Sequence, residues 1–194
     1  MDTRFLLYLH GFRSSPQSFK ARRMAAEVAQ RHPQVTWACP QLPPSPRAAA
    51  ELIRSIIAEW PRERMAVVGS SLGGFYATWA AEETGCRAVL LNPAVDPARD
   101  LARHIGEQAS WHDPGERFWF APEYIEELRA LERRPITRPE RYFAVIAKGD
   151  ELLDWREMVA RYPGAHVKLL EGSDHALSDF DHHLEDVLAF LQLA

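Results

Sequence analysis

The chain has few cysteines, no excess of positive charge and no long apolar run. Its two cysteines, Cys39 and Cys86, form no Cys-x-x-Cys pair, so we expect small buried side chains in a reduced compartment. The net charge is −4 and no run of lysine and arginine exceeds two residues, which argues against nucleic acid as a partner. No segment approaches the ~18 apolar residues of a membrane helix, and the first apolar run begins too early for a signal peptide. We therefore expect a cytoplasmic protein with no membrane partner.

Signatures of nucleotide and metal cofactors are also missing. The glycine-rich stretch Gly69–Gly74 matches neither Gly-x-Gly-x-x-Gly nor a Gly-Lys-Ser/Thr phosphate loop, and Ala38–Pro40 ends a predicted strand without an acid for a ribose. The carboxyl-terminal aspartates and histidines resemble a metal site in composition. However, His175 precedes the predicted last helix and His182 lies opposite its apolar stripe, so they share no face. We expect no cofactor and no metal.

What is present is an alternation of short apolar runs with segments of helical periodicity. With 46% hydrophobic residues, a chain of this length buries a sizeable core, so we predict one domain over residues 1–194. Alternating strands and helices predict an α/β fold with a parallel, doubly wound sheet and functional loops at the carboxyl ends of the strands. The six predicted strands are Phe5–Leu9, Val35–Ala38, Met65–Val68, Ala88–Leu91, Tyr142–Ala147 and Val167–Leu170.

Serine residues mark three of the predicted helix starts. Ser15 and Ser45 each precede a proline, the pattern of an N-cap followed by proline at the first helical position. Ser178, with Asp181 three residues later, predicts the start of the last helix. Each of these starts follows from local sequence alone.

The most informative stretch is Met65–Phe75, an apolar run followed by Gly69-x-Ser71-x-Gly73 and a helix-like segment. A strand that turns directly into a helix strains the residue at the turn and needs small neighbours on either side. This arrangement predicts a nucleophile elbow with the hydroxyl of Ser71 at its tip. A glycine-rich structural turn is the alternative reading of the pentapeptide alone.

A serine needs an imidazole to take its proton and a carboxylate to orient that imidazole. The chain offers Ser71, Asp150 and His175 in that order, each at the carboxyl end of a predicted strand, which is the order found in α/β hydrolases. These three are the predicted catalytic residues. The acid is the least certain of them, because Asp154, Glu151 and Asp96 also follow predicted strands.

Two backbone amides are predicted to stabilise an oxyanion. Leu72 begins the helix after the elbow, where the helix dipole and free N–H groups favour negative charge. Phe12 follows the glycine after the first strand, the loop that supplies the second donor in α/β hydrolases. His10 lies at the end of the same buried strand, and we interpret it as a structural hydrogen-bonding residue and not as the base.

The alternation breaks between residues 96 and 140. An insertion of this size in a compact domain is usually functional, so we predict a small helical cap over the elbow. Packing of the inserted helix onto the body is an equally open role for each of its aromatic residues. The four predicted substrate-binding residues are Trp111, Phe118, Trp119 and Phe120.

Six stretches carry a resemblance to a known family: Tyr8–Pro16, Pro40–Pro44, Val68–Trp79, Asn92–Val95, Gly149–Asp154 and Asp174–Ala176. Taken together, these motifs resemble the YqiA-type esterases of the α/β-hydrolase superfamily. The resemblance implies a minimal α/β-hydrolase fold with about six mostly parallel strands, helices on both faces and a small helical cap. It also implies esterase activity, with acyl-CoA thioesterase activity as a further option, and supports the three catalytic residues named above. The segment from Asp96 to Glu140 matches least, which leaves substrate preference open.

From the sequence we expect a serine carboxylic-ester hydrolase that acts on a small acyl ester through an acyl-enzyme, without a cofactor. A thioesterase or a peptidase would use the same three residues. A hydrolase-fold binding protein that keeps the site without turnover is the alternative from a different class.

Overall fold

The computed structural model describes residues 2–193. The strands are β1 (Phe5–Leu9), β2 (Thr36–Ala38), β3 (Met65–Ser70), β4 (Arg87–Leu91), β5 (Gly106–Ala109), β6 (Arg117–Phe120), β7 (Tyr142–Ala147) and β8 (His166–Leu170). The α-helices are α1 (Phe19–Arg31), α2 (Pro46–Ile57), α3 (Leu72–Thr84), α4 (Pro97–Leu101), α5 (Tyr124–Leu131), α6 (Trp155–Arg161) and α7 (Leu184–Phe190). Short 3-10 helices span Arg62–Arg64, Ala102–His104, Pro139–Arg141 and Phe180–His182.

Six strands form one parallel sheet in the order β2-β1-β3-β4-β7-β8. The strands β3 and β7 are buried along their whole length, because helices cover both faces of the sheet. The edge strands β2 and β8 are the more exposed ones. This architecture confirms the predicted α/β-hydrolase fold, and all six predicted strands are present.

Successive residues of the strands contribute to two separate cores, one on each face of the sheet. Leu7 and Leu9 of β1 face a core that also contains residues of α2, α3, α5 and α6. Leu6 and Tyr8 face the other core, which α1 and α7 cover. The helix α3 is buried from Leu72 to Ala81 because it lies directly on the sheet, which explains why its sequence is apolar on nearly every side.

The insertion at 96–140 contains more than the helices predicted for it. Between α4 and α5 the chain forms an antiparallel hairpin from β5 and β6, in which Gly106 pairs with Phe120 and Ala109 pairs with Arg117. Side chains in Arg117–Phe120 alternate between outward and inward positions, which is typical of a strand. This alternation was not recognised in the sequence, because three aromatic residues follow one another there. The insertion therefore presents a two-stranded ribbon beside the main sheet.

Two of the three predicted helix starts are wrong. The helix α1 begins at Phe19, because Ser15 lies in a turn in which its carbonyl accepts the amide of Ser18. The helix α7 begins at Leu184, because the amide and hydroxyl of Ser178 both donate to Asp174. Only the third start is confirmed: the hydroxyl of Ser45 accepts the amide of Ala48 at the beginning of α2. Within residues 2–193, no helix has the length and apolar character needed to cross a membrane.

Candidate active site

The turn between β3 and α3 holds Ser71 in a strained backbone conformation, with φ of 55° and ψ of −121°. The neighbouring glycines make this turn possible by their lack of a side chain. A Cβ atom on Gly69 would lie 2.1 Å from the carbonyl oxygen of Gly73, and one on Gly73 would lie 1.9 Å from the carbonyl oxygen of Leu9. Strand, turn and helix are thus packed too closely for any other residue, and strain of this kind is typical of functional sites.

Three side chains from distant parts of the chain form a continuous hydrogen-bond chain at the carboxyl edge of the sheet. His175 Nε2 lies 3.0 Å from Ser71 Oγ, and His175 Nδ1 lies 2.7 Å from Asp150 Oδ2. The Asp150 side chain is fully buried and the His175 side chain is 17% exposed. Because a carboxylate accepts only, Nδ1 carries a proton and leaves Nε2 free to accept the proton of the serine hydroxyl.

The second oxygen of Asp150 is also bound, which orients the carboxylate. Asp150 Oδ1 accepts the amides of Leu152 at 2.9 Å and Leu153 at 2.8 Å. The adjacent Glu151 binds the histidine loop by a different route, since its Oε2 accepts the amide of His175 at 3.0 Å.

Asp154 and Asp96, which the sequence left as alternative acids, and the nearby Asp174 have other partners. Asp154 caps α6 by accepting the amide of Arg156, and Asp96 caps α4 by accepting the amide of Arg99. Asp174 binds Ser178, whose hydroxyl lowers the pKa of the Asp174 carboxyl below its ordinary value. Within residues 2–193, none of these three carboxylates forms a hydrogen bond or ion pair with the imidazole of His175.

The predicted oxyanion donors belong to residues near the serine. Leu72 is the first residue of α3, and Phe12 follows Gly11, whose added Cβ would lie 3.1 Å from Ser71 Cβ. Neither the Phe12 amide nor the Leu72 amide donates to an acceptor within residues 2–193. Two free N–H groups beside a serine hydroxyl are suited to bind a developing negative charge.

His10 has a structural role, as the sequence predicted. Its Nε2 accepts the amide of Leu42 at 3.0 Å and its Nδ1 lies 2.9 Å from the carbonyl oxygen of Gly11. The ring is therefore neutral with the proton on Nδ1. Burial lowers the pKa of His10 below its ordinary value. This histidine ties the proline-rich loop after β2 to the loop that carries Phe12.

A cleft of about 370 Å³ opens beside the two free amides. It lies between the loop after β1, the proline-rich loop, the start of α3 and the β5–β6 hairpin. Its apolar wall comes from Phe12, Leu42, Leu72, Tyr76 and Phe118.

Of the four aromatic residues predicted to bind substrate, the structure places only Phe118 in the wall of this cleft. Phe120 is buried, with its ring centroid 5.2 Å from that of Phe12. Trp119 is 62% exposed on the outer face of the hairpin. Trp111 is 63% exposed and packs under the guanidinium of Arg13 at 4.1 Å, so it joins the hairpin to the loop after β1. The alternation of side chains along β6 explains why Phe118 and Phe120 face inward and Trp119 faces outward, because neighbouring side chains of a strand point to opposite faces.

No group of three or more histidine, cysteine, aspartate or glutamate side chains is arranged to hold a metal ion in the described part of the chain. The carboxyl-terminal polar residues bind one another instead. Asp179 accepts the hydroxyl of Ser173 and lies 3.1 Å from His183 Nε2.

Sequence reasoning missed two buried side chains that contact the loop carrying His175, Lys20 and Asn92. They contact the backbone next to His175. Asn92 carries a local signal, since it directly follows β4, whereas Lys20 is the second residue of α1 and carries none.

The parallel sheet and the strained serine between β3 and α3 define the α/β-hydrolase fold class. The chain belongs to the family described as "Uncharacterised protein family (UPF0227)", whose sequence model matches residues 5–192. This assignment confirms the resemblance to the YqiA-type family. A UPF0227 protein of Yersinia enterocolitica is 26% identical over 128 residues, and one of Serratia proteamaculans is 25% identical over 130 residues. Each match covers 66% of this chain and 64% of the relative.

Solved structures share the fold over almost the whole chain. The α/β hydrolase domain-containing protein 10 from mouse superposes with a TM-score of 0.70 at 16% identity, covering 98% of this chain and 91% of that one. A structure from work on LipS and LipT, two metagenome-derived lipolytic enzymes, superposes with a TM-score of 0.70 at 21% identity. The match covers 100% of this chain and 96% of that one. Est1E from Butyrivibrio proteoclasticus, with ferulic acid bound, superposes with a TM-score of 0.70 at 16% identity. The match covers 98% of this chain and 87% of that one. At these identities the likeness establishes the fold alone.

Proposed function

We propose that the protein is a serine carboxylic-ester hydrolase that acts on small acyl esters through an acyl-enzyme intermediate. The observation that carries this proposal is the continuous hydrogen-bond chain from Asp150 through His175 to Ser71. The names of the structural neighbours, which include lipolytic enzymes and an esterase of Pyrococcus furiosus, support the reaction class. Two free cysteines, Cys39 and Cys86, support a cytoplasmic location.

In the first half of the proposed reaction, Ser71 Oγ attacks the carbonyl carbon while its proton passes to His175 Nε2. The carbonyl oxygen becomes an oxyanion and accepts hydrogen bonds from the amides of Phe12 and Leu72. When the bond to the leaving oxygen breaks, Nε2 returns its proton to the departing alcohol. Asp150 remains ionised throughout and stabilises the imidazolium.

In the second half, water attacks the acyl-serine ester and gives a proton to His175 Nε2. The new oxyanion occupies the same position between the two amides. Its collapse releases the carboxylic acid and returns the proton to Ser71 Oγ, so no cofactor or external base is consumed. The leaving group and the attacking water must both reach Nε2, which places them on the His175 side of the serine.

The cleft beside the two free amides suits the acyl group. Its apolar wall includes Leu42, Tyr76 and Phe118, and its lining also includes Phe12 and Leu72, whose amides are the proposed oxyanion donors. Each buried methylene contributes at most ~0.8 kcal/mol of binding, so selectivity should increase with chain length until the cleft is filled. We propose short to medium acyl chains as the preferred substrates.

A serine-directed fluorophosphonate probe tests this proposal. We expect one covalent adduct, located on Ser71 by peptide mass spectrometry and absent from Ser71→Ala. A parallel assay of 4-nitrophenyl esters, acyl-CoA thioesters and peptide anilides identifies the preferred bond. Turnover of thioesters alone would assign a thioesterase and turnover of anilides alone a peptidase. Absence of both labelling and turnover would favour a binding protein that keeps the fold without the activity.

A further inference from the structure

Two buried side chains from distant elements hold the loop that carries His175. Asn92 Nδ2 donates to the carbonyl oxygens of Asp174 at 2.9 Å and His175 at 3.2 Å. Lys20 Nζ donates to the carbonyl oxygen of Ala176. Three consecutive carbonyls, centred on the histidine, are therefore each bound by a buried donor.

Asn92 also contacts the strand that leads to the acid. Its Oδ1 accepts the amide of Ala147 at 2.8 Å, and Ala147 is the last residue of β7, three positions before Asp150. The Asn92 side chain is fully buried, and its backbone has φ of 43°, a left-handed conformation that asparagine tolerates better than most residues. One amide group thus fixes the end of the acid's strand relative to the loop of the base.

Lys20 brings a positive charge to the same place. It lies in α1 and is only 8% exposed, and burial lowers the pKa of its ammonium to about 8, although Asp174 and Asp150 act in the opposite direction. A buried ammonium is unfavourable unless it finds partners. The carbonyl of Ala176 and the two carboxylates are the partners that this site provides.

The histidine loop needs such support because the chain from 171 to 179 has no regular secondary structure. The imidazole must nevertheless meet Asp150 on one side and Ser71 on the other at hydrogen-bond distance. Misplacement of a reacting group by ~1 Å is enough to reduce a rate by about 100-fold. We propose that Asn92 and Lys20 are positioning residues that hold His175 between Asp150 and Ser71. This inference rests on the proposed function, since positioning matters only if the histidine acts as a base.

The experiment compares the wild-type protein with Asn92→Gly, Asn92→Asp and Lys20→Met. Glycine removes the Asn92 side chain without straining a left-handed backbone. Aspartate keeps an acceptor for Ala147 but places an oxygen against the carbonyls of residues 174 and 175, so it isolates the contact with the histidine loop. Lys168→Met is the matched control, because Lys168 pairs with Asp186 on the surface. Thermal unfolding establishes which variants are folded, and Lys20→Met decides alone if both Asn92 variants fail to fold.

Two readouts are measured on each folded variant. The first is kcat and KM for a short acyl ester. The second is the downfield proton NMR signal of His175 Nδ1–H in its bond to Asp150, which needs no turnover. We expect kcat to fall by about 10- to 100-fold with KM nearly unchanged, as displacement of a reacting group predicts. We also expect the NMR signal to broaden or disappear in the three variants and to persist in Lys168→Met.

A folded variant that keeps both its kcat and its NMR signal would overturn the inference for the residue changed. A loss of kcat with an unchanged signal would overturn it too, because the imidazole would still be in place. If the wild-type protein shows the signal and hydrolyses no ester, the proposed function fails. Loss of the signal in the variants would then still support the positioning of His175 by Asn92 and Lys20.

Discussion

Ser71 Oγ and His175 Nε2 lie 3.0 Å apart although 104 positions separate them in the chain. The sheet creates this proximity, because β3 and β8 both end at the same edge and their loops open on the same side. Under the proposed mechanism these two residues form one proton-transfer unit, so they should not contribute independently to catalysis.

The first prediction follows from this relationship. Ser71→Ala and His175→Ala should each reduce kcat to background, and the double variant should be hardly slower than either single one, because members of a triad act as a unit. Ester hydrolysis and thermal unfolding measure this, with Ser55→Ala on the exposed side of α2 as the control. Losses that multiply in the double variant would contradict the pairing.

The second prediction concerns the acid. Asp150→Asn should lower kcat by roughly 10³- to 10⁴-fold, because an amide opposite Nδ1 favours the wrong imidazole tautomer. Asp154→Asn is the matched control and should stay near wild type, since asparagine also caps a helix. Steady-state kinetics of both variants show which of the two aspartates orients the histidine. The reverse ranking would transfer the role to Asp154.

The third prediction concerns the acyl group. Phe118→Ala removes a large side chain from the apolar wall and so enlarges the cleft. The variant should therefore prefer longer acyl chains than the wild type does, while acetyl esters are still hydrolysed. Trp119→Ala, one position along the same strand but on its outer face, should leave the chain-length profile unchanged. The measurement is kcat/KM for a series of 4-nitrophenyl esters. An altered profile in Trp119→Ala alone would place the acyl group outside the cleft.

The fourth prediction is a pH dependence of stability that arises from His10. Burial holds the pKa of the folded His10 below its ordinary value of about 6.5, so the unfolded chain binds its proton at higher pH than the folded protein does. Stability should therefore decrease as the pH falls below about 6.5, by at most ~1.4 kcal/mol per pH unit from this group.

Unfolding of the wild type and of His10→Gln between pH 8 and pH 5 tests this prediction. Glutamine offers Leu42 an acceptor that does not titrate, so the variant should lose less stability on acidification. His166→Gln on the exposed strand β8 controls for the general effect of removing a histidine. Parallel stability curves for the wild type and His10→Gln would refute the assignment.

Much of the fold follows from local patterns in the sequence. Buried parallel strands are short and apolar on both faces, so β1, β3, β4 and β7 were recognisable as apolar runs. The more exposed edge strands β2 and β8 were also recognised, and the alternation of strands with helices determined the class of sheet. The spacing of Gly69, Ser71 and Gly73 identified the strained turn, because a turn this tight excludes other side chains. Errors arose where competing hydrogen bonds decided the outcome, as at Ser178, whose amide and hydroxyl bind Asp174.

The sequence by itself named Ser71, Asp150 and His175, since each follows a recognisable strand and strand ends are a local property. Only the tertiary structure decided which carboxylate binds the imidazole. Asp150 and Asp154 have the same side chain, but Asp150 lies against His175 whereas Asp154 accepts the amide of Arg156. It also decided which aromatic residues line the cleft and which buried groups support the histidine loop. Those facts depend on contacts between segments far apart in the chain, and no local pattern encodes such contacts.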